Sequence, residues 1–130
     1  MRGLKGKVAI VPGGVTKIGQ AVVAAFAEAG VRVVVADIAD APAAMLSDDV
    51  IYQRCNLRSD DEIAALVRVT REKYGRIDFL VNVACSYLDK GVESTRAEWL
   101  EALDINLVGS TVLMQAALAL AVARGLPQAA

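Results

Sequence analysis

The chain has 130 residues, 55% of them hydrophobic, 22% charged and 5% aromatic, with a formal net charge of −1. That length suits one domain, and the apolar content excludes a disordered chain. A balance so near neutral, with few aromatic residues, leaves no electrostatic footprint for nucleic acid or an anionic membrane surface and no base-stacking platform.

The basic residues at the start precede an apolar run, residues 8–11, that is too short for a signal-peptide core. Residues 7–11 (KVAIV) predict a buried strand ending in a glycine turn. Residues 18–29 predict a helix, because Ile18, Val22, Ala25, Phe26 and Ala29 recur at spacings of three and four, and Gly30 stops it. Residues 31–37 (VRVVVAD) are mostly β-branched, the pattern of a parallel strand covered on both faces. A short helix or turn is expected over 41–46 and a third strand over 50–56. Ser59 and Glu62 have capping-box spacing and open a helix that runs to about Tyr74 and ends at Gly75. Residues 77–84 (IDFLVNVA) form the fourth predicted strand. Thr95 and Glu98 repeat the capping box and open a long helix to about Ala123, closed by Gly125 and Pro127. Its part over 105–123 carries no charge and could reach across a bilayer by length. The polar Asn106, Ser110, Thr111 and Gln115 inside it favour instead a helix buried on nearly all sides, with no membrane partner.

Strands alternating with helices close through right-handed crossovers into an open α/β sheet with helices on both faces. In such a sheet ligands sit beyond the carboxyl ends of the strands. Those four ends carry the loop Gly13 to Gly19, then Asp37 and Ile38, then Asn56 and Leu57, then Asn82, Val83, Ala84 and Cys85. Glycines let the first loop turn sharply and approach a pyrophosphate, and the helix behind it aims free amides at that anion. Asp37 lies 37 − 19 = 18 positions beyond Gly19. An acidic residue about 20 positions on accepts hydrogen bonds from an adenosine ribose and repels a 2′-phosphate, which argues for NAD over NADP. An ordinary strand-to-helix turn and a solvated strand-end carboxylate are the bland readings of the same residues. The sequence has no histidine, so the commonest general base and metal ligand are missing, as is any Ser-His-Asp triad. Cys55 and Cys85 form no CxxC pair and read as reduced thiols of a cytoplasmic protein, with no metal bound.

The segments KVAIVPGGVTKIG, VVVADI, CNL, IDFLVNVAC and DINLVGS resemble, in order and spacing, the successive landmarks of the short-chain dehydrogenases/reductases over nearly the whole chain. The resemblance implies one NAD-binding domain, a Rossmann-like doubly wound parallel sheet truncated after the fourth strand and the long helix behind it. The family signature is Thr-Gly-x-x-x-Gly-x-Gly. Gly13 and Gly19 match its first and last glycines, while Pro12 replaces the threonine and Lys17 the middle glycine. On this match Gly13, Thr16, Lys17, Ile18 and Gly19 meet the cofactor, as do Asp37 and Ile38. Asn56, beside Leu57, stands where the family usually has an aspartate that meets the adenine. Asn82, Val83, Ala84 and Cys85 keep two residues of the family's Asn-Asn-Ala-Gly. Asn106 matches the family's catalytic asparagine, which holds a water in a proton relay.

The departures carry physical expectations. Proline is poorly tolerated inside a sheet, so Pro12 is expected just past the last ladder bond. Lys17 either pairs with phosphate, crowds the ribose or turns to solvent. The family's serine and its Tyr-x-x-x-Lys pair lie in later elements. Here Tyr52, Tyr74 and Tyr87 are followed four positions on by Asn56, Asp78 and Gly91. The 130 residues alone are therefore expected to be inactive, since no tyrosine–lysine pair protonates a substrate oxygen. Asn106 does not titrate, and the nearby Glu101 and Asp104 read as solvated carboxylates. The reaction that the resemblance implies is NAD-dependent hydride transfer between a secondary alcohol and a ketone. The expected partners are NAD(H), a small alcohol or ketone, and a second copy of the chain through the 105–123 helix. The alternative is a non-catalytic nucleotide-binding or dimerising module.

Overall fold

Two valine-rich segments, Val8–Pro12 (β1) and Arg32–Asp37 (β2), pair in parallel at the centre of the molecule, with Val8 opposite Arg32 and Pro12 opposite Ala36. In this computed structural model, which describes residues 3–87 and 90–122, Val50–Arg54 (β3) adds outside β2 and Phe79–Leu80 (β4) outside β1. The strand order is β3-β2-β1-β4, all parallel.

Alternation along the central strands builds two cores. Ile10, Val34 and Ala36 face one side and pack with Ile63, Leu66 and Leu113. Ala9, Val11, Val33 and Val35 face the other and pack with Val23 and Phe26. The first side is covered by helices Asp60–Tyr74 (α2) and Ser110–Val122 (α4), the second by Lys17–Glu28 (α1). Both faces of the sheet are thus buried, which is why the strands read as near-continuous apolar runs.

Pro12 lies inside β1, opposite Ala36, rather than past the ladder. It is tolerated because the β2 side needs no donor from it: the next amide, Gly13, donates to Ala36 O at 2.8 Å. On the β4 side the Pro12 carbonyl accepts from both Val83 (3.0 Å) and Ala84 (2.8 Å). Without a reciprocal amide the regular ladder stops, and β4 spans Phe79–Leu80 instead of the expected 77–84.

The caps differ as well. Ser59 accepts from the Glu62 amide and starts α2, but the Glu62 carboxylate does not return to Ser59. It accepts from the Asn56 amide (2.8 Å) and from Arg54 (3.1 Å). Gly75 ends α2 in the left-handed conformation, φ 73°. The Thr95–Glu98 capping box does form, and it opens Arg96–Leu103 (α3).

The expected single long helix is broken by a π-helical turn, Asp104–Gly109, between α3 and α4. Nor is it buried on nearly all sides. Leu113 is fully buried, whereas Leu107, Met114 and Leu118 are 59%, 51% and 52% exposed. By length and composition alone the helical run Arg96–Leu120 could cross a membrane. The expected helix end near Ala123, with Gly125 and Pro127, lies outside the described residues.

Candidate functional site

The carboxyl ends of β1, β2 and β3 open onto a cavity of about 430 Å³. Its walls include Gly13, Thr16, Asp37, Ile38, Asn56, Leu57 and Ala84 from the sequence reading. The crossover order brings the loops together here: β1 and β2 are neighbours, and the chain after β4 runs back over Pro12.

The first loop is folded tightly on itself. Gly13 has φ 78°, and a Cβ there would strike the Ala84 backbone. A Cβ on Gly19 would strike Gly13 O and the Gly14 backbone. Thr16 locks the turn and caps α1, its hydroxyl donating to Gly13 O (2.8 Å) and accepting from Gly19 N (3.1 Å). Gly19 therefore serves helix–loop packing and stands outside the cavity walls. Lys17 and Ile18 also lie outside them. Their side chains are exposed, Ile18 by 71%, and Lys17 makes no ion pair among the described residues. Their amides, in the first turn of α1, have no protein acceptor among the described residues. Free amides of this kind at the positive end of a helix form an anion cradle.

Asp37 is half-buried and joins two loops. One carboxylate oxygen accepts from the Val15 amide (3.2 Å), the other from the Ala39 amide (3.1 Å). Each oxygen keeps a further lone pair for a ligand hydroxyl. Tyr52 donates to the Asp37 carbonyl at 3.2 Å. Burial, then the carboxylates of Asp40 and Asp37, push that phenol up, so it remains a donor.

On the third loop the Asn56 side chain accepts from the Arg58 amide (3.0 Å), and Leu57 is buried. Of the fourth landmark, Ala84 lines the cavity, while Val83 packs into the core and Asn82 is exposed. Asn106 sits outside the cavity and grips one of its walls. It accepts from Ser86 N (2.6 Å) and donates to Ser86 O (2.9 Å). Glu101 and Asp104 are partly exposed, as expected, and both also pair with Arg58, at 2.8 and 3.2 Å.

The cavity also takes walls from Cys85, at the fourth strand end, and from Ser86 beside it. Ile105, next to Asn106, is a wall that the sequence did not single out, and adjacency to Asn106 was the signal available for it. Cys55, just past the end of β3, is another wall that the sequence did not single out. Burial, reinforced by the Glu62 carboxylate, pushes the Cys55 thiol up to about 11, so it is an unreactive protonated group at neutral pH.

A tight glycine loop at a helix start, two unclaimed amides, and a carboxylate at the end of the neighbouring strand form the donor and acceptor set that a dinucleotide requires. The family model described as enoyl-(acyl carrier protein) reductase matches residues 14–126. The chain belongs to the short-chain dehydrogenase/reductase family. It is 38% identical over 116 residues to tropinone reductase-like 2 of Erythroxylum coca, covering 82% of this chain and 42% of that relative. The crystal structure of gox2181 superposes with a TM-score of 0.79 at 32% identity, over 94% of this chain and 51% of the other. The aldohexose dehydrogenase of Thermoplasma acidophilum gives 0.77 at 27% identity, over 89% and 44%. The chain thus spans about two fifths of the length of the curated relatives it matches. Membership in this dehydrogenase/reductase family, with its Rossmann-like fold, implies a nicotinamide dinucleotide cofactor.

Proposed function

We propose that this chain is the NAD-binding half of an oxidoreductase that interconverts a secondary alcohol and a ketone. When bound, the nicotinamide supplies the hydride acceptor or donor, and everything else falls to the protein. The Lys17 and Ile18 amides receive the pyrophosphate. Asp37 accepts from the adenosine ribose hydroxyls, and Asn56 and Leu57 flank the adenine. Ala84 and Ser86 border the far end, where Asn106 fixes the Ser86 peptide. The proton-transferring tyrosine and lysine would come from a segment other than these 130 residues.

The observation that carries the NAD reading is Asp37. Its carboxylate, held by two loop amides at a cavity wall, would face a 2′-phosphate with like charge. Titration calorimetry with NAD and NADP tests it. NAD is expected to bind at least about tenfold more tightly, one 1.4 kcal/mol step, and Asp37→Asn to narrow the gap. Equal or tighter binding of NADP would overturn the preference.

A second reading, a nucleotide-binding module that dimerises without catalysis, draws support from the apolar residues exposed along α3 and α4. The mass of the protein from its natural source separates the two. A product near twice 13.7 kDa favours the oxidoreductase, and one at 13.7 kDa favours the module.

A further inference from the structure

Arg58 lies two positions beyond Asn56 and is not one of the cavity walls. Its amide donates to the Asn56 side chain at 3.0 Å. Its guanidinium crosses to the helical arm, with Nη1 at 2.8 Å from Glu101 Oε1 and Nε at 3.2 Å from Asp104 Oδ2. Glu101 is in α3, and Asp104 opens the π turn. The residues that follow in this turn reach three walls of the cavity. Ile105 is itself a wall, and Asn106 holds both the backbone N–H and the backbone carbonyl of Ser86. Gly109 sits so close to Leu57 that a Cβ would strike the Leu57 carbonyl. Arg58 therefore fixes the first residue of the turn to the loop that carries Asn56 and Leu57.

We propose that Arg58 is a positioning residue for the dinucleotide cavity, latching the π turn to the loop after β3 so that Ile105 and Asn56–Leu57 keep the separation an adenosine needs. The proposal rests on the dinucleotide reading above. Turns of this π type recur at functional sites, where they re-aim side chains. Arg58, Glu101 and Asp104 are each partly exposed, so the ion pairs add little to global stability. The planar guanidinium nevertheless spans two carboxylates in a geometry that a lysine cannot reproduce. The signature of the latch is lost affinity without a comparable loss of fold.

The test is calorimetric binding of ADP-ribose and NAD to the 130-residue protein. The variants are Arg58→Gln, Arg58→Lys, the double variant Glu101→Gln/Asp104→Asn, and the triple variant that adds Arg58→Gln to the double. Arg58→Gln is expected to weaken both ligands by the same factor, roughly three- to tenfold, the range two exposed ion pairs supply. Arg58→Lys should fall in between. The double variant should match Arg58→Gln, and the triple should be no weaker than either. Circular dichroism and the unfolding midpoint should stay near the parent's. An unchanged affinity in Arg58→Gln overturns the latch, and so do losses that multiply in the triple variant. If Arg58→Gln does not fold, the double variant reads the same contact from its other side. A parent that binds neither ligand overturns the dinucleotide reading itself, a result distinct from a parent that binds and a variant that binds equally well.

Discussion

Asp78 shows how one side chain can stand in for a strand. Its carboxylate is 12% exposed and accepts from the Val8 amide (2.9 Å) and from Arg76 Nε (2.8 Å), with Lys7 Nζ at 3.4 Å. Burial pushes its pKa up. The Arg76 hydrogen bond, the Val8 amide and the two cations pull it down further, so the net value lies below the ordinary carboxylate range. A depressed native pKa means that the ionised form stabilises the fold. That contribution is complete above the ordinary value of about 3.9 and disappears as pH falls through the lower native value. Asp78→Asn is expected to lose about 1–2 kcal/mol at pH 7 and to converge on the parent in strong acid. Urea unfolding at both pH values checks this, and an equal gap at both would assign the loss to packing. Nothing local in IDFLV reveals this role, because the partner amide is 70 residues away. The place of Asp37 at the cavity wall was legible, because it ends the strand that follows the glycine loop. Glu62 was legible as a capping partner, yet the nearby Asn56 amide and Arg54 took its carboxylate instead.

Periodicity revealed the strands and helices themselves, and the β3-β2-β1-β4 order agrees with the doubly wound reading. It did not reveal where two elements would be interrupted. The early end of β4 follows from Pro12, on another strand. The π turn follows from one extra residue per turn, which a pattern of threes and fours does not register. That turn offers a test at its closing residue. Gly109 is buried against Leu57, and a Cβ there would strike the Leu57 backbone, which cannot swing aside as a side-chain tip would. Gly109→Ala is expected to destabilise by about 1–3 kcal/mol and to weaken nucleotide binding by displacing Leu57 from the cavity wall. Val108→Ala next to it, 49% exposed, should stay within about 0.5 kcal/mol. Thermal unfolding of the pair separates close contact from general helix propensity, on which alanine surpasses glycine. A Gly109→Ala protein more stable than the parent would show that the helix can retreat from Leu57 freely.

At the scale of the whole molecule, uncovered surface lies at the sheet edges and along the helical arm. β3 and β4 are the end strands of the sheet, so neither has a further strand on its outer edge among the described residues. Leu100, Leu103, Leu107, Met114 and Leu118 are each exposed by 46% or more. They are spread over α3, the π turn and α4. None of the five lines the nucleotide cavity, so covering them leaves the site open. An apolar surface of this kind marks an association site, and an open strand edge adds a second tendency to pair. The expected outcome is a particle mass in light scattering that rises above the monomer's at roughly tens of micromolar, the range where exposed apolar surface drives association. Leu107→Glu with Leu118→Glu should return it to the monomer while ADP-ribose affinity stays unchanged, because neither residue is a wall of the cavity. A parent that stays a sharp monomer would leave these residues without a role in self-association. Association that survives both glutamates would move the contact from the helical arm to a sheet edge.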